Sequence, residues 1–248
     1  MRLDVYFGGA QLAQADLNGR VVLVIDVLRA STSVAAALSN GAKAVIPFES
    51  SDEVIARAKQ FERSDVLLAG ERKMRAIPGF DLGNSPREYT REAVEGKTVL
   101  LTTTNGTVAL VGVQGARDVV IASYVNYSPV AAMIRAAARG AADVAIVCAG
   151  RDRQFALEDA ACAGRYARAV TRRLANIRLN DAAEACRLID KRYGDRLDRL
   201  FEDAEHGRAL MEAGYGDDLA VCAQVDAHPV IPIYQERQIT KLGPDRER

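Results

Sequence analysis

The sequence predicts an α/β protein of three layers, helices covering both faces of a largely parallel or mixed sheet, with a helix-rich segment in the last third. Three observations lead there. Short apolar runs alternate with helix-like segments over short connections through the first two-thirds of the chain, as βαβ units require. Several runs are apolar at every position, the pattern of strands buried on both faces. A chain of 248 residues that is 49% hydrophobic and 27% charged is long enough to bury a large core, and too apolar for bulk disorder. No linker or repeat interrupts it, so it reads as one α/β domain, 1–248, with 176–226 as a candidate helical lobe.

The elements follow in order. Residues 2–7 alternate and read as a first strand, and 20–25 (RVVLVI) form a continuous apolar strand ending at Asp26. Residues 31–40 are alanine-rich, open on hydroxyl residues and stop at Gly41, as a capped helix does. A strand at 43–47 leads to Ser50-x-x-Glu53, a capping box opening a helix to about 61. A strand at 65–69 runs into a long loop, 70–84, and Ser85-Pro86-Arg87-Glu88 combines a capping box with proline at the first helical position. Strands at 98–101, 118–122 and 143–148 alternate with helices at 106–111, 129–139 and 157–174. Residues 180–190, 196–213 and 217–224 read as charge-rich helices. The end, 230–242, reads as one or two strands, placed at a sheet edge by Pro229 and Pro232.

Composition narrows the function. Thirty-three basic residues balance 33 acidic ones, which argues against general binding to nucleic acid or an anionic membrane. No apolar run approaches the roughly 20 residues of a membrane helix. MRLDVYFGGA lacks an apolar signal core, so a cytoplasmic location is expected. A homo-oligomer is left open. The four cysteines are widely spaced and read as reduced, buried hydrophobes. With only His206 and His228, a His-rich metal site is excluded, and any hydroxyl–His–carboxylate triad must use one of these two.

Ligands of parallel sheets bind beyond the carboxyl ends of strands. Four loops there are unusual: 26–33, 70–86, 102–107 and 148–159. In each an apolar strand ends in polar residues, and in three these run directly into a helix start, where free amides favour anions. Ser31, Thr32, Thr103 and Thr104, with Arg29, Arg72 and Arg151, suit phosphate oxygens. The same hydroxyls also serve as ordinary caps. Asp26, Glu71, Asp81, Glu158 and Asp159 are the acidic candidates, and carboxylates beside a phosphate cup suit Mg²⁺ rather than Zn²⁺. Asp26 stands out because the strand before it holds its carboxylate rigidly; its alternative role is a turn-bonding aspartate. The second acid of haloacid-dehalogenase phosphatases is missing, since Leu28 occupies its place. P-loop and dinucleotide fingerprints are absent.

Together VIDVLRASTS (24–33), GFDLGNSP (79–86), TTTNGT (102–107) and CAGRD…LED (148–159) resemble the 2-phosphosulfolactate phosphatase family, over roughly residues 1–240. Met74 stands where that family commonly has glycine, and 73–75 is more basic. The resemblance implies a Mg²⁺-dependent hydrolase associated with coenzyme M biosynthesis. Its substrate would be a small anionic phosphorylated acid carrying phosphate, carboxylate and sulfonate, held by arginines among Arg29, Arg72, Arg75, Arg87, Arg151 and Arg153. Asp26, Arg29 and Glu158 are then the catalytic candidates. Ser31, Thr32, Arg72, Asn84, Ser85, Thr103, Thr104, Asn105, Gly106, Thr107 and Arg151 are the substrate-binding ones. Asp26, Glu71, Asp81 and Asp159 are the candidate metal ligands. Asp26, Asp81, Thr104, Asn105 and Glu158 are expected to converge at one carboxyl edge of the sheet. A lyase or transferase using the same anion cup, and a non-catalytic anion sensor, are the competing readings.

Overall fold

The structure, a computed structural model, describes residues 1–8, 17–113, 115–152, 154–172, 174 and 176–243; Arg153 lies outside them. The strands are β1 (Arg2–Phe7), β2 (Val21–Ile25), β3 (Ala44–Phe48), β4 (Val66–Arg72), β5 (Arg75–Ala76), β6 (Thr98–Thr102), β7 (Asp118–Ala122), β8 (Val144–Cys148), β9 (Arg178–Leu179), β10 (Pro232–Gln235) and β11 (Gln238–Lys241). The helices are α1 (Ala30–Ser39), α2 (Ser51–Ala58), α3 (Arg91–Val94), α4 (Gly106–Val111), α5 (Tyr127–Arg139), α6 (Leu157–Thr171), α7 (Asp181–Tyr193), α8 (Leu197–Asp203), α9 (Glu205–Glu212) and α10 (Gly216–Cys222). All five residues of β2 and of β8 are buried, as their unbroken apolar runs require.

The sheet is mixed and eleven-stranded, in the order β5-β4-β6-β3-β11-β10-β7-β2-β8-β1-β9. It contains two parallel blocks, β4-β6-β3 and β7-β2-β8-β1-β9, joined by the antiparallel hairpin β10–β11. The expected edge position of residues 230–242 is therefore corrected. The hairpin is central, and Pro232 is tolerated because it is the first residue of its strand, where a missing N–H costs least.

Helix α1 packs against β3, β7, β10 and β11. From Ala30 to Leu38 it is wholly buried, and its small alanines let it lie close to the sheet. Val34, Leu38, Val24, Val99 and Ile121 share this core, which spans both blocks. On the opposite face Val130, Ile134, Tyr166 and Cys186 of α5–α7 cover Leu23 and Ile146, while Val54 of α2 covers Val66 and Leu100. These are the three layers.

Three antiparallel pairings separate the blocks, so β6 runs opposite to β2. The expectation of one shared carboxyl edge is corrected accordingly. The two lie five strands apart, and a sheet twisting about 20–25° per strand turns roughly 100–125° over that span. Twist thus swings the end of β6 back toward the end of β2, and α4 contacts both β2 and β3.

Two further segments differ from expectation. The 70–84 loop contains a hairpin, β4–β5, whose tip residues Lys73 and Met74 have φ of 52° and 69°. Glycine adopts that backbone freely; Met74 is held there by donating its amide to Glu71 Oε2 at 2.8 Å. The segment 196–213 is two helices, broken at Ala204.

Candidate active site

Asp26 follows β2 and begins the turn into α1. Its amide donates to Ser31 Oγ at 2.9 Å, and its Oδ1 accepts from the Ala30 amide at 3.3 Å. Oδ2 accepts nothing from the described residues. The 102–107 loop closes over this oxygen: a Cβ added to Gly106 would stand 2.8 Å from Asp26 Oδ2 and 2.8 Å from Ala30 Cβ. Only glycine permits that approach. Burial pushes the Asp26 carboxyl up to about 6; His206 and the Ala30 amide oppose the rise, while Glu71 and Glu158 add to it.

Glu158 lies buried in the first turn of α6. Its Oε1 is 3.1 Å from His206 Nδ1, and its Oε2 is buried without a partner among the described residues. His206 comes from α9, next to Gly207, where a Cβ would stand 2.0 Å from the Phe201 carbonyl oxygen. That glycine lets α9 start hard against the end of α8, which delivers the imidazole to Glu158. Both side chains line a cavity of about 270 Å³ together with Arg151, Phe155 and Glu205. Arg151 donates to Glu205 Oε1 at 3.0 Å at the rim. The Asp152 amide donates to Asn105 Oδ1 at 3.1 Å, tying the cavity wall to the loop over Asp26.

The other expected residues divide by what they bond. Glu71 accepts the Thr104 amide on Oε1 and the Met74 amide on Oε2, both at 2.8 Å. Asp159 accepts the Val27 amide at 2.8 Å and the Gly150 amide at 3.0 Å, and burial beside Glu158 and Asp26 holds its carboxyl well above the usual range. Thr103 caps α4, its Oγ1 accepting the Thr107 amide at 3.3 Å, while Thr107 Oγ1 donates back to the Thr103 carbonyl at 2.8 Å. Thr32 Oγ1 lies 2.9 Å from the Val27 carbonyl and 2.8 Å from Ser123 Oγ. Arg72 donates to Thr102 Oγ1 at 2.9 Å and to the carbonyls of Glu49 and Glu71. Asn84 is buried, its carbonyl accepting from Ser33 Oγ at 2.9 Å.

Three expectations are corrected. Asp81 does not join the others: its Oδ2 accepts the Leu68 amide at 2.8 Å along the exposed side of β4, and Oδ1 pairs with Arg63. Arg29 faces away from the Asp26 carboxylate, donating to Asp218 Oδ2 at 2.7 Å and the Met74 carbonyl at 2.8 Å, with its guanidinium 4.4 Å above the Tyr215 ring. Ser85 does stand before a short 3-10 turn, Pro86–Glu88, with proline at its start, but its hydroxyl caps nothing there and instead donates to Asp218 Oδ1 at 2.6 Å. Of the other arginines, Arg75 is exposed and Arg87 forms a surface pair with Asp217.

The four candidate metal ligands therefore do not form a cage, and no group of three or more His, Cys, Asp or Glu suited to a metal exists among the described residues. Of the four, Asp26 alone keeps an oxygen that accepts nothing from the described residues, and Glu158 Oε2 is likewise without a partner. One such hard donor fits Mg²⁺, which takes one or two carboxylates and completes its shell with water and phosphate oxygens. The sequence reading missed two residues. His206 was visible only as one of two histidines, and Asp218 only as an acid in a helix's first turn.

The 2-phosphosulpholactate phosphatase family model matches residues 9–237. A protein of Symbiobacterium thermophilum is 42% identical over 227 residues, 92% of this chain and 96% of the relative. One of Caldanaerobacter subterraneus subsp. tengcongensis is 39% identical, covering 94% and 95% of the two chains, and one of Clostridium acetobutylicum is 35% identical, covering 96% and 100%. Each of these relatives carries the name probable 2-phosphosulfolactate phosphatase.

Proposed function

Because the chain belongs to the 2-phosphosulpholactate phosphatase family, whose members are phosphoric monoester hydrolases, we propose that it hydrolyses the phosphomonoester of a small polyanionic hydroxy acid. The substrate is 2-phosphosulfolactate, the products are sulfolactate and phosphate, and Mg²⁺ assists. The observation that carries this reading is the free Oδ2 of Asp26, buried under Gly106 and electrostatically coupled to the Glu158–His206 pair. Phosphoryl transfer asks a protein mainly for positioning and for fixed charge around the moving group. A rigid carboxylate at a strand end answers the first need. Arg151 stands at the mouth of the cavity, paired with Glu205, where an incoming phosphate can compete for its guanidinium.

Asp26 would hold Mg²⁺, which when bound offsets the negative charge of the phosphoryl oxygens. Thr104 and Asn105, on the loop over Asp26, flank the same space and orient the phosphate and the attacking water. Glu71 and Asp159 serve by holding the loops around this space through backbone amides.

Phosphate release from 2-phosphosulfolactate, phospholactate and phosphoglycerate, each with and without Mg²⁺, tests the reading. The first should be the best substrate, with activity removed by chelation and restored by Mg²⁺. A folded protein that releases no phosphate from any of the three would end the hydrolase reading in favour of a lyase, transferase or anion sensor. Activity that survives chelation would end the Mg²⁺ part alone.

A further inference from the structure

We propose that His206 is the catalytic acid of this site, donating its proton to the departing alcohol oxygen, with Glu158 as the positioning residue that holds its ring. The proposal rests on the phosphatase reading and adds a residue from outside the four strand-end loops.

The geometry supplies the argument. Nδ1 of His206 is engaged by Glu158 Oε1 at 3.1 Å, so Nε2 is the ring nitrogen left for a substrate. Both residues line the cavity of about 270 Å³. Glu158 is buried and so holds its partner without competition from bulk water. The Asp152 amide on the wall of this cavity donates to Asn105 Oδ1 at 3.1 Å, on the loop that covers Asp26, so the imidazole's cavity adjoins the expected phosphoryl position. The alternatives on the cavity wall are poorer donors. Arg151 is bonded to Glu205, and arginine does not release its proton in a protein. The carboxylates of Asp152 and Glu205 are 73% and 82% exposed, at the rim.

The chemistry needs such a group. An aliphatic alkoxide is a poor leaving group, and negative charge builds on the ester oxygen as its bond to phosphorus breaks. In the proposed step the water oxygen bonds to phosphorus and the P–O ester bond breaks. The proton on Nε2 passes to the ester oxygen, which leaves as the alcohol. Product phosphate first carries both protons of the water, then returns one to His206 directly or through solvent, so the enzyme ends as it began. A positioned general acid is worth about 10²–10⁴-fold in rate.

Leaving-group dependence separates this role from a structural one. For each protein, kcat/KM is measured on 2-phosphosulfolactate and on 4-nitrophenyl phosphate, whose phenolate departs without a proton, and the ratio of the two is taken. This ratio is independent of how much of a preparation is folded. His206→Gln should lower it by about 100-fold or more, because only the alkyl ester needs the acid. Glu158→Gln keeps a hydrogen-bond acceptor but not the charge, and should lower the ratio in the same direction by about tenfold. An unchanged ratio in His206→Gln, with both substrates slowed alike, overturns the proposal and returns the pair to a structural link between α9 and α6. Failure of the wild-type protein to release phosphate from either ester is a different result and would fall on the phosphatase reading itself.

Discussion

The strand-end loops and the helices of residues 181–222 use their polar side chains in opposite ways. In the loops, Ser31, Glu71, Thr103, Thr107 and Asp159 bond mainly to backbone atoms, and what they create is shape: a loop drawn down onto Asp26. The helices bond side chain to side chain across the molecule. His206 reaches Glu158, and Asp218 holds Arg29 and Ser85 together, at sequence separations of 48, 189 and 133. A loop saturated by its own amides is rigid but has little chemistry left over. The exceptions are Asp26 Oδ2 and Glu158 Oε2, and the partner that Glu158 takes, His206, arrives from a distant segment that the same loops accept. In the proposed mechanism catalysis is divided between a scaffold at the strand ends and a helical segment docked over it.

Substitutions on each side probe that division. The largest effect is expected at Asp26. Asp26→Asn should lower kcat/KM on the phosphate ester by about 10²–10⁴-fold at saturating Mg²⁺, the range for losing a group that handles a proton in the reaction. It should also raise stability at neutral pH. In the folded protein the carboxyl titrates at about 6 against 3.8 unfolded, so below pH 4 both states are protonated and nothing is lost. As pH rises through 4 to 6 the unfolded state ionises first and stability falls, by about 3 kcal/mol once above pH 6. Asparagine escapes this. Thermal melts of both proteins from pH 4 to 8 should show the variant's advantage growing across that window and then levelling. Near-normal turnover would reduce Asp26 to a turn residue.

Asp218→Ala tests the helical side. It leaves Arg29 buried without its carboxylate and frees Ser85, and should cost about 3 kcal/mol of stability. At about 2–4 °C per kcal/mol, the melting temperature should fall by about 6–12 °C. An unchanged melt would mean that the docked helices are only a cover. The smallest effect is expected at Asp81. Asp81→Ala removes a bond to the Leu68 amide and an exposed pair with Arg63, so about 1 kcal/mol should be lost. Its kcat/KM should stay within about twofold, since Asp81 lies off the site. A large loss of activity, with the Mg²⁺ requirement altered, would restore it as a ligand.

The alternation of strand and helix, the buried runs of β2 and β8 and the Ser50 cap on the Glu53 amide could all be read directly from the residues, because each depends on neighbours in the chain. The placement of Asp26 was legible for the same reason: an acid directly after five apolar residues reads as a strand end, and the strand stops at Ile25. Strand direction was not legible. Residues 230–242 carry the proline of an edge strand, yet the hairpin fills the centre of the sheet and reverses one parallel block against the other. The loops then meet by twist, which no local pattern encodes. The partners of Arg29, Ser85 and Glu158 were equally hidden. A hydroxyl or carboxylate at a helix start looks the same whether it caps its own turn or bonds a residue 133 positions away. Local sequence determined the elements and marked the strand-end acid, since propensity and capping act within a few residues. Tertiary packing alone decided which of those polar groups stayed free, because desolvation and partner choice depend on what the rest of the chain brings alongside.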